Sequence, residues 1–196
     1  MTDTPSAGGV AVGIDIGGTK IDILVSDPDG TIRGRARIPT DGAGGARSVV
    51  RRAATEANTL INETDLDGHR RRLSCVVGIP GIPTQGGVVM SPNIPGWEEV
   101  RIHDEVASIL APTTMTVEND VKLSTLAELM NGALRGVCDG IYLSLGTGVA
   151  AGIVVDGHLV RGNDGAAGEV GYLPVAAGAS TLVEHVIGGR AIEERA

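Results

Sequence analysis

A carboxylate with catalytic potential follows a strand-like segment in the middle of the chain. In "TMTVENDVKLS" the strand pattern ends at Glu118-Asn119-Asp120, and a helical pattern begins directly afterwards. Ligand sites in open α/β sheets lie outside the carboxyl ends of strands, which is where Asp120 falls. A carboxylate there can accept the proton of an attacking hydroxyl group, but aspartate also commonly caps helices. Taken alone, the segment favours the cap over the base.

A pair of adjacent glycines near the N-terminus could form a turn that binds a phosphate group. In "GIDIGGTKIDILV", Gly17 and Gly18 follow a strand pattern. A dinucleotide fingerprint would lead from the glycines into a helix, but here Ile21 and Ile23 continue a second strand. The segment therefore predicts a β-hairpin. Its backbone could approach an anion closely, beside the hydroxyl of Thr19 and the charge of Lys20, or it could be a plain hairpin turn.

A second segment, "SLGTGVAAGIVVDGHLV", repeats the order of the first: strand, glycine turn, strand, Asp-Gly turn, strand. The repeat indicates a duplicated architecture in which two phosphate-binding hairpins face each other. Shortly afterwards, "GAAGEVG" places Glu169 among three glycines. Ordering a carboxylate there is costly unless a ligand or partner contacts it, although Glu169 could also be a surface turn residue.

The elements that must position these residues alternate between strands and helices. The periodicity predicts an α/β fold, a mixed sheet with helices on its faces. A stripe of apolar residues is expected to form the buried face of the helix over 121–134: Leu123, Leu126, Ala127, Met130 and Leu134. The expected strands lie at about 9–16, 20–26, 31–38, 73–80, 114–119 and 140–148, and the expected helices at about 43–63, 98–110 and 121–134.

Composition narrows the classes of partner. The net charge of −8 argues against a nucleic acid, and the short polar N-terminus resembles neither a signal peptide nor a membrane span. Cys75 and Cys138 lie outside any metal-binding spacing, which predicts two buried thiols in a reducing compartment. We therefore expect a soluble cytoplasmic protein that binds neither a membrane nor a nucleic acid.

Seven short segments occur in the order found in the ROK family, which the chain resembles from about residue 10 onward. This family comprises bacterial sugar kinases and sugar-responsive repressors with the actin-like ATPase (ribonuclease H-like) fold. Each motif is weak by itself, but seven in order are a strong signal. The segments are "DIGGTK", "GIPG", "NIPGW", "END", "LGTG", "DGHLVRGNDGAAGEVG" and "GGRAIEERA".

The resemblance implies that the chain transfers phosphate from ATP to a hexose, with Asp120 as the base on the sugar hydroxyl group. It implies a sugar site formed by Gly81, Asn93, Asn119, Asp120, Glu169 and Glu184. It implies ATP contacts from Asp15, Gly17, Gly18, Thr19, Lys20, Gly146, Thr147 and Gly148. Asp15 would also lie near Mg²⁺, which it would hold indirectly.

Three departures from the family pattern matter. Tyr172 stands where the family has a zinc-binding histidine, and "LPVAAGASTLVEH" has no cysteine, so we predict no zinc site. The methyl groups of Val149-Ala150-Ala151 could crowd a phosphate. The chain is also short for the family, which predicts an N-terminal ATPase lobe over 1–120 and an incomplete second lobe over 121–196. Such a chain is either a truncated form or a homo-oligomer that buries its open face.

Three alternative functions can be weighed against the kinase. A sugar-binding or regulatory protein of the same family could retain the sugar site without catalysis. A repressor is less favoured, because only about a dozen residues precede "DIGGTK", too few for a helix-turn-helix. An oxidoreductase of the dinucleotide-binding class is disfavoured by the hairpin after Gly18. The sugar and the phosphate donor stay open.

Overall fold

The computed structural model describes residues 9–64, 72–91 and 94–195. The chain divides into two compact units, Met1–Asp120 and Val121–Ala196. The assignment of these units to an ATPase lobe and to the beginning of a second ligand-binding lobe stays a prediction.

The first unit is built on a mixed five-stranded sheet with the strand order β3-β2-β1-β4-β7. Strands β1, β2 and β3 form an antiparallel meander, whereas β4 and β7 run parallel to β1. Strands β5 and β6 form a small separate hairpin. The strands are β1 (Val10–Ile16), β2 (Lys20–Ser26), β3 (Ile32–Pro39), β4 (Leu73–Ile79), β5 (Ile82–Pro83), β6 (Val88–Val89) and β7 (Thr114–Asn119).

Two helices accompany this sheet, α1 (Gly45–Glu63) and α2 (Ile102–Leu110). The buried stripe of α1 includes Val50, Ala54 and Ala57, and these small side chains let the helix pack closely on β1–β3. The helix expected over 98–110 begins only at Ile102. Trp97–Glu99 instead form a 3₁₀ turn, because the extended backbone of Val100 interrupts the helical path.

The second unit contains a three-stranded antiparallel sheet with the order β10-β9-β8. Helix α3 begins at the last residue of the first unit and precedes this sheet in the chain. The elements are α3 (Asp120–Asn131), β8 (Gly140–Leu145), β9 (Val149–Val155), β10 (His158–Val160), α4 (Glu184–Ile187) and α5 (Gly189–Glu193). The meander β8-β9-β10 repeats the antiparallel order of β1-β2-β3, as the repeated sequence pattern predicts.

The buried face of α3 differs from the predicted stripe. Met130 is 69% exposed and Ala127 is exposed, whereas the buried residues are Val121, Lys122 and Thr125. The reason lies on β9, where a side chain on Gly152 would overlap Thr125. The absence of that side chain lets the Thr125 face of α3 approach the sheet.

Strand β8 leaves one apolar face uncovered among the residues that the structure describes. Ile141, Leu143 and Leu145 alternate along this strand, and all three are exposed. Solvent-exposed apolar rows of this kind are typical of surfaces that another segment or chain covers. Oligomerisation of the chain stays a prediction.

The two cysteines differ in environment. Cys75 on β4 is buried, as predicted, but the prediction for Cys138 is wrong because this residue is exposed in the irregular segment between α3 and β8. Across the described ranges, no helix combines the length and the apolar character that a membrane crossing requires.

Candidate functional site

The parallel strands of the first unit bring three predicted site segments to one edge of the sheet. Asp15 on β1 pairs with Gly78 on β4, and Gly78 pairs with Glu118 on β7. Neighbouring strands are about 4.8 Å apart, so Asp15 and Glu118 are separated by about 10 Å across this edge. The "GGTK" turn, the "GIPG" loop and Asn119-Asp120 therefore all follow the carboxyl ends of adjacent strands, where α/β folds bind ligands.

The turn between β1 and β2 is a hairpin, which confirms the hairpin interpretation and excludes the dinucleotide fingerprint at this position. Gly17 N–H donates to the Lys20 carbonyl at 2.9 Å. Thr40 Oγ1 donates to the Gly17 carbonyl at 2.6 Å, which ties the turn to the end of β3. No atom of the described residues lies within 4 Å of a Cβ built on Gly18. The Gly18 backbone is thus accessible to an anion.

Asp15 stands next to a row of charges that crosses three strands. It pairs with Asp22 on β2, and Asp22 pairs with Arg37 on β3. Arg37 Nε lies 2.5 Å from Asp22 Oδ1, and Lys20 Nζ lies 3.8 Å from Asp22 Oδ2. Desolvation and repulsion by Asp22 raise the pKa of Asp15, and Lys20 offsets part of this increase. A divalent cation nearby would relieve this repulsion, and carboxylate oxygens are ligands that suit Mg²⁺.

The end of β7 is anchored to the loop after β4. Asn119 is 4% exposed, and its Nδ2 donates to the Gly81 carbonyl at 3.1 Å. Gly81 has φ +104°, and a Cβ there would lie 2.6 Å from the Val89 carbonyl oxygen, so the loop requires glycine. Asp120 follows as the first residue of α3, a position that suits a helix-terminal carboxylate and a catalytic base alike. Asn93 lies outside the described residues.

In the second unit, the "LGTG" turn is held by the segment around α4 and α5. Val149 N–H donates to Glu184 Oε2 at 3.1 Å, and Gly189 N–H donates to the Gly146 carbonyl at 2.8 Å. A side chain on Gly148 would overlap Glu184 Oε2. The structure thus brings Glu184, predicted to bind sugar, together with Gly146, Thr147 and Gly148, predicted to contact ATP.

Glycines on both sides of Glu169 let its loop lie directly on β9. The Gly168 carbonyl accepts from Ala151 N–H at 2.7 Å, and its φ is +92°. A side chain on Gly168 would overlap the Ala151 carbonyl, and one on Gly171 would overlap the Val149 carbonyl. The glycines therefore serve contact with a strand backbone, and this contact positions the Glu169 carboxylate.

The charge of Glu169 is balanced by a residue that the sequence reasoning missed. Lys122 Nζ lies 4.0 Å from Glu169 Oε1. Burial raises the pKa of Glu169, Lys122 lowers it, and Glu184 raises it again. A lysine in the first turn of a helix opposes the helix macrodipole, and this misfit was the available signal for Lys122.

Tyr172 occupies the position at which the family pattern has a histidine. Burial raises the pKa of its hydroxyl group, with further contributions from the negative charges of Glu184 and Glu169. Val149 and Ala151 are buried, so only Ala150 of the three added methyl-bearing residues is partly exposed near the turn. The absence of a zinc site stays a prediction.

Sequence comparisons point to kinases that act on sugars. The chain is 34% identical to a glucokinase of Thermotoga maritima over 166 residues, which are 84% of this chain and 50% of the relative. It is 30% identical to an N-acetylgalactosamine kinase of a Shewanella species, covering 84% of this chain and 51% of the relative. The chain thus spans about half the length of the curated relatives that it matches.

Solved structures of sugar kinases have a fold similar to that of this chain. A ROK family glucokinase from Streptomyces griseus, in complex with glucose and AMPPNP, matches with a TM-score of 0.72 and 27% identity, over 95% of this chain and 59% of that chain. An inorganic polyphosphate/ATP-glucomannokinase from an Arthrobacter strain matches with a TM-score of 0.78 and 26% identity, over 95% of this chain and 71% of that chain. These likenesses confirm the predicted actin-like ATPase fold. Because the ROK family profile matches residues 11–196, the chain belongs to the ROK family.

Proposed function

We propose that this chain phosphorylates a hexose with ATP and that Asp120 is the base on the sugar hydroxyl group. The observation that carries the proposal is the common edge of β1, β4 and β7. There the accessible Gly18 turn and Asn119-Asp120 follow strands of one sheet. The glucokinase and N-acetylgalactosamine kinase relatives support sugar phosphorylation as the reaction class.

The proposed chemistry is an in-line transfer of the γ-phosphoryl group. A sugar hydroxyl oxygen forms the new bond to phosphorus as the bond to the β-phosphate oxygen breaks, and ADP leaves. Asp120 accepts the hydroxyl proton as the new bond forms. The sugar hydroxyl groups would be oriented by Asn119, Gly81, Glu169, Glu184 and Asn93. The carboxylates would accept hydrogen bonds from these hydroxyl groups, and the amides would both donate and accept them.

The proposed nucleotide contacts lie on the two glycine turns. Gly17 and Gly18 would present backbone to phosphate oxygens, while Thr19 and Lys20 add a hydroxyl donor and a positive charge. The corresponding "LGTG" turn over 146–148 would contribute further backbone contacts. Asp15 would hold water molecules of Mg²⁺, which supplies charge neutralisation on the phosphates when bound.

The test is sugar-dependent formation of ADP from Mg-ATP with glucose, mannose, N-acetylglucosamine and N-acetylgalactosamine, and formation of sugar phosphate when polyphosphate replaces ATP as the donor. We expect activity with at least one sugar and a fall in kcat of about 10²–10⁴-fold in Asp120→Asn, because the proton acceptor is lost. Asp104→Asn is the matched control, since Asp104 is an exposed residue of α2 paired with Arg101. This variant should retain full activity.

A chain that produces ADP with none of these sugars would refute the kinase proposal. If calorimetric titration still detects a hexose, the second candidate applies, a sugar-binding or regulatory member of the family. An unchanged kcat of Asp120→Asn would show that Asp120 is not the base, but it would not contradict sugar phosphorylation as the reaction.

A further inference from the structure

Lys122 is a buried cation close to the predicted sugar site. Its side chain is 2% exposed, and that of Glu169, 4.0 Å away, is 14% exposed. Removing an ammonium group from water costs free energy unless an opposite charge compensates. The position in the first turn of α3 adds to this cost, because the positive end of the helix dipole repels a cation. An ionised Glu169, 4.0 Å from Lys122 Nζ, supplies an opposite charge of this kind.

Stability by itself does not account for such a pair. Buried ion pairs are often no more stabilising than apolar residues of the same volume. The pair does have a consequence for Glu169, whose pKa is also raised by Glu184 on α4. Glu184 and Glu169 in turn raise the pKa of the Tyr172 hydroxyl group. Burial and Glu184 both favour the protonated form of Glu169, and Lys122 is the positive charge that opposes them.

The ionisation of Glu169 decides what it can offer to a sugar. An ionised carboxylate accepts hydrogen bonds at both oxygens, whereas a protonated carboxyl group uses one oxygen as a donor. Hydrogen bonds to a charged acceptor are shorter and stronger than those between neutral groups. Since Gly168 and Gly171 fix the backbone of the Glu169 loop on β9, Lys122 acts on the remaining freedom of the side chain.

We propose that Lys122 is a positioning residue of the sugar site, which holds Glu169 as an ionised and oriented acceptor for sugar hydroxyl groups. This inference rests on the proposed function, because it takes Glu169 as a contact of the sugar. Lys122 touches neither the sugar nor the phosphate in this role, and it acts through Glu169.

The test compares the unmodified chain with Lys122→Met, which removes the charge at similar length, and with Lys122→Arg, which retains it. Calorimetric titrations with glucose and N-acetylglucosamine from pH 5 to pH 8 give sugar affinity, and carbon-13 NMR of the Glu169 carboxyl group follows its titration. In Lys122→Met we expect Glu169 to titrate at higher pH and sugar affinity at pH 7 to fall about tenfold. Lys122→Arg should restore most of the affinity.

The two readouts separate this inference from the proposed function. If the unmodified chain binds neither sugar, the sugar role fails, and the NMR titration still decides whether Lys122 controls the ionisation of Glu169. Unchanged titration of Glu169 in Lys122→Met overturns the inference, as does an affinity loss that is equal at every pH.

A variant that removes both charges of the pair covers the case in which Lys122→Met does not fold. The double variant Lys122→Met/Glu169→Gln should fold and should bind sugar as weakly as Glu169→Gln, because Lys122 acts only through Glu169. Additional weakening of the double variant by about tenfold would show that Lys122 acts independently and would overturn the inference.

Discussion

Replacing Gly81 by alanine tests whether the loop after β4 holds the end of β7 in place. Gly81 has φ +104°, and its carbonyl accepts from Asn119 Nδ2 at 3.1 Å. A Cβ at this position would lie 2.6 Å from the Val89 carbonyl oxygen and 2.9 Å from Ser91 Cβ. The substitution therefore combines an unfavourable backbone conformation with steric overlap. A backbone shift that relieves this strain or overlap would move the carbonyl oxygen of residue 81, which accepts the hydrogen bond from Asn119.

The expected loss follows from these two contributions. The positive φ costs an alanine about 1 kcal/mol, and overpacking of a close contact adds about 1–3 kcal/mol. We therefore expect Gly81→Ala to lower the free energy of unfolding by about 2–4 kcal/mol. Gly30→Ala is the matched control, because Gly30 has φ +88° and no atom of the described residues within 4 Å of its Cβ position. That variant should lose only about 1 kcal/mol.

The assay is urea unfolding followed by tryptophan fluorescence. Trp97 is the one tryptophan of the sequence and is fully buried in the first unit, so its emission reports on the unit that contains Gly81. The slope of the unfolding free energy against urea should stay constant, so that the midpoints give the difference. Equal destabilisation by Gly81→Ala and Gly30→Ala would refute the reasoning, since it would show that the overlap relaxes without cost.

Two further predictions concern titratable groups. Burial raises the pKa of Cys75 to about 11. A thiol reagent should therefore modify only the exposed Cys138 in the folded chain, and both cysteines in denaturant. Rapid modification of Cys75 in the folded chain would contradict its burial. The pKa of Asp15 is raised from 3.8, so ionisation of Asp15 disfavours the folded state, and this penalty develops as the pH rises through the raised pKa. Asp15→Asn should therefore raise the thermal unfolding midpoint at pH 7 in low salt without Mg²⁺, and this increase should become smaller toward pH 3.8. A lower midpoint of the variant at pH 7 would show that ionised Asp15 stabilises the folded state.

Local patterns predicted the strands best. The strand over 114–119 has the bounds that the sequence predicts, and the meander of β1–β3 differs by about a residue at its ends. Each of these strands has an apolar alternation or run that ends at a turn signal, which is local information. The helix expected from residue 98 begins only at Ile102, because Trp97–Glu99 form a 3₁₀ turn and Val100 is extended.

The residues around the site divide in the same way. Asn119-Asp120 at a strand end and the glycines of both hairpins are recognisable from residue type and order. The anchoring of Asn119 on Gly81 is not, because the two residues are 38 positions apart and meet only through the pairing of β4 with β7.

By itself, the sequence determined the order of the longer strands and helices, the duplicated hairpin and the membership of the ROK family, since these depend on periodicity and on motifs of consecutive residues. Only the tertiary structure decided which side chains are buried and paired. Helical spacing favoured the leucine stripe of α3, but Thr125 instead packs against Gly152 on β9, and Lys122 is buried as well. The physical reason is that the burial of a helix face is set by the shape of the surface that it packs against, and that surface is formed by residues distant in the chain.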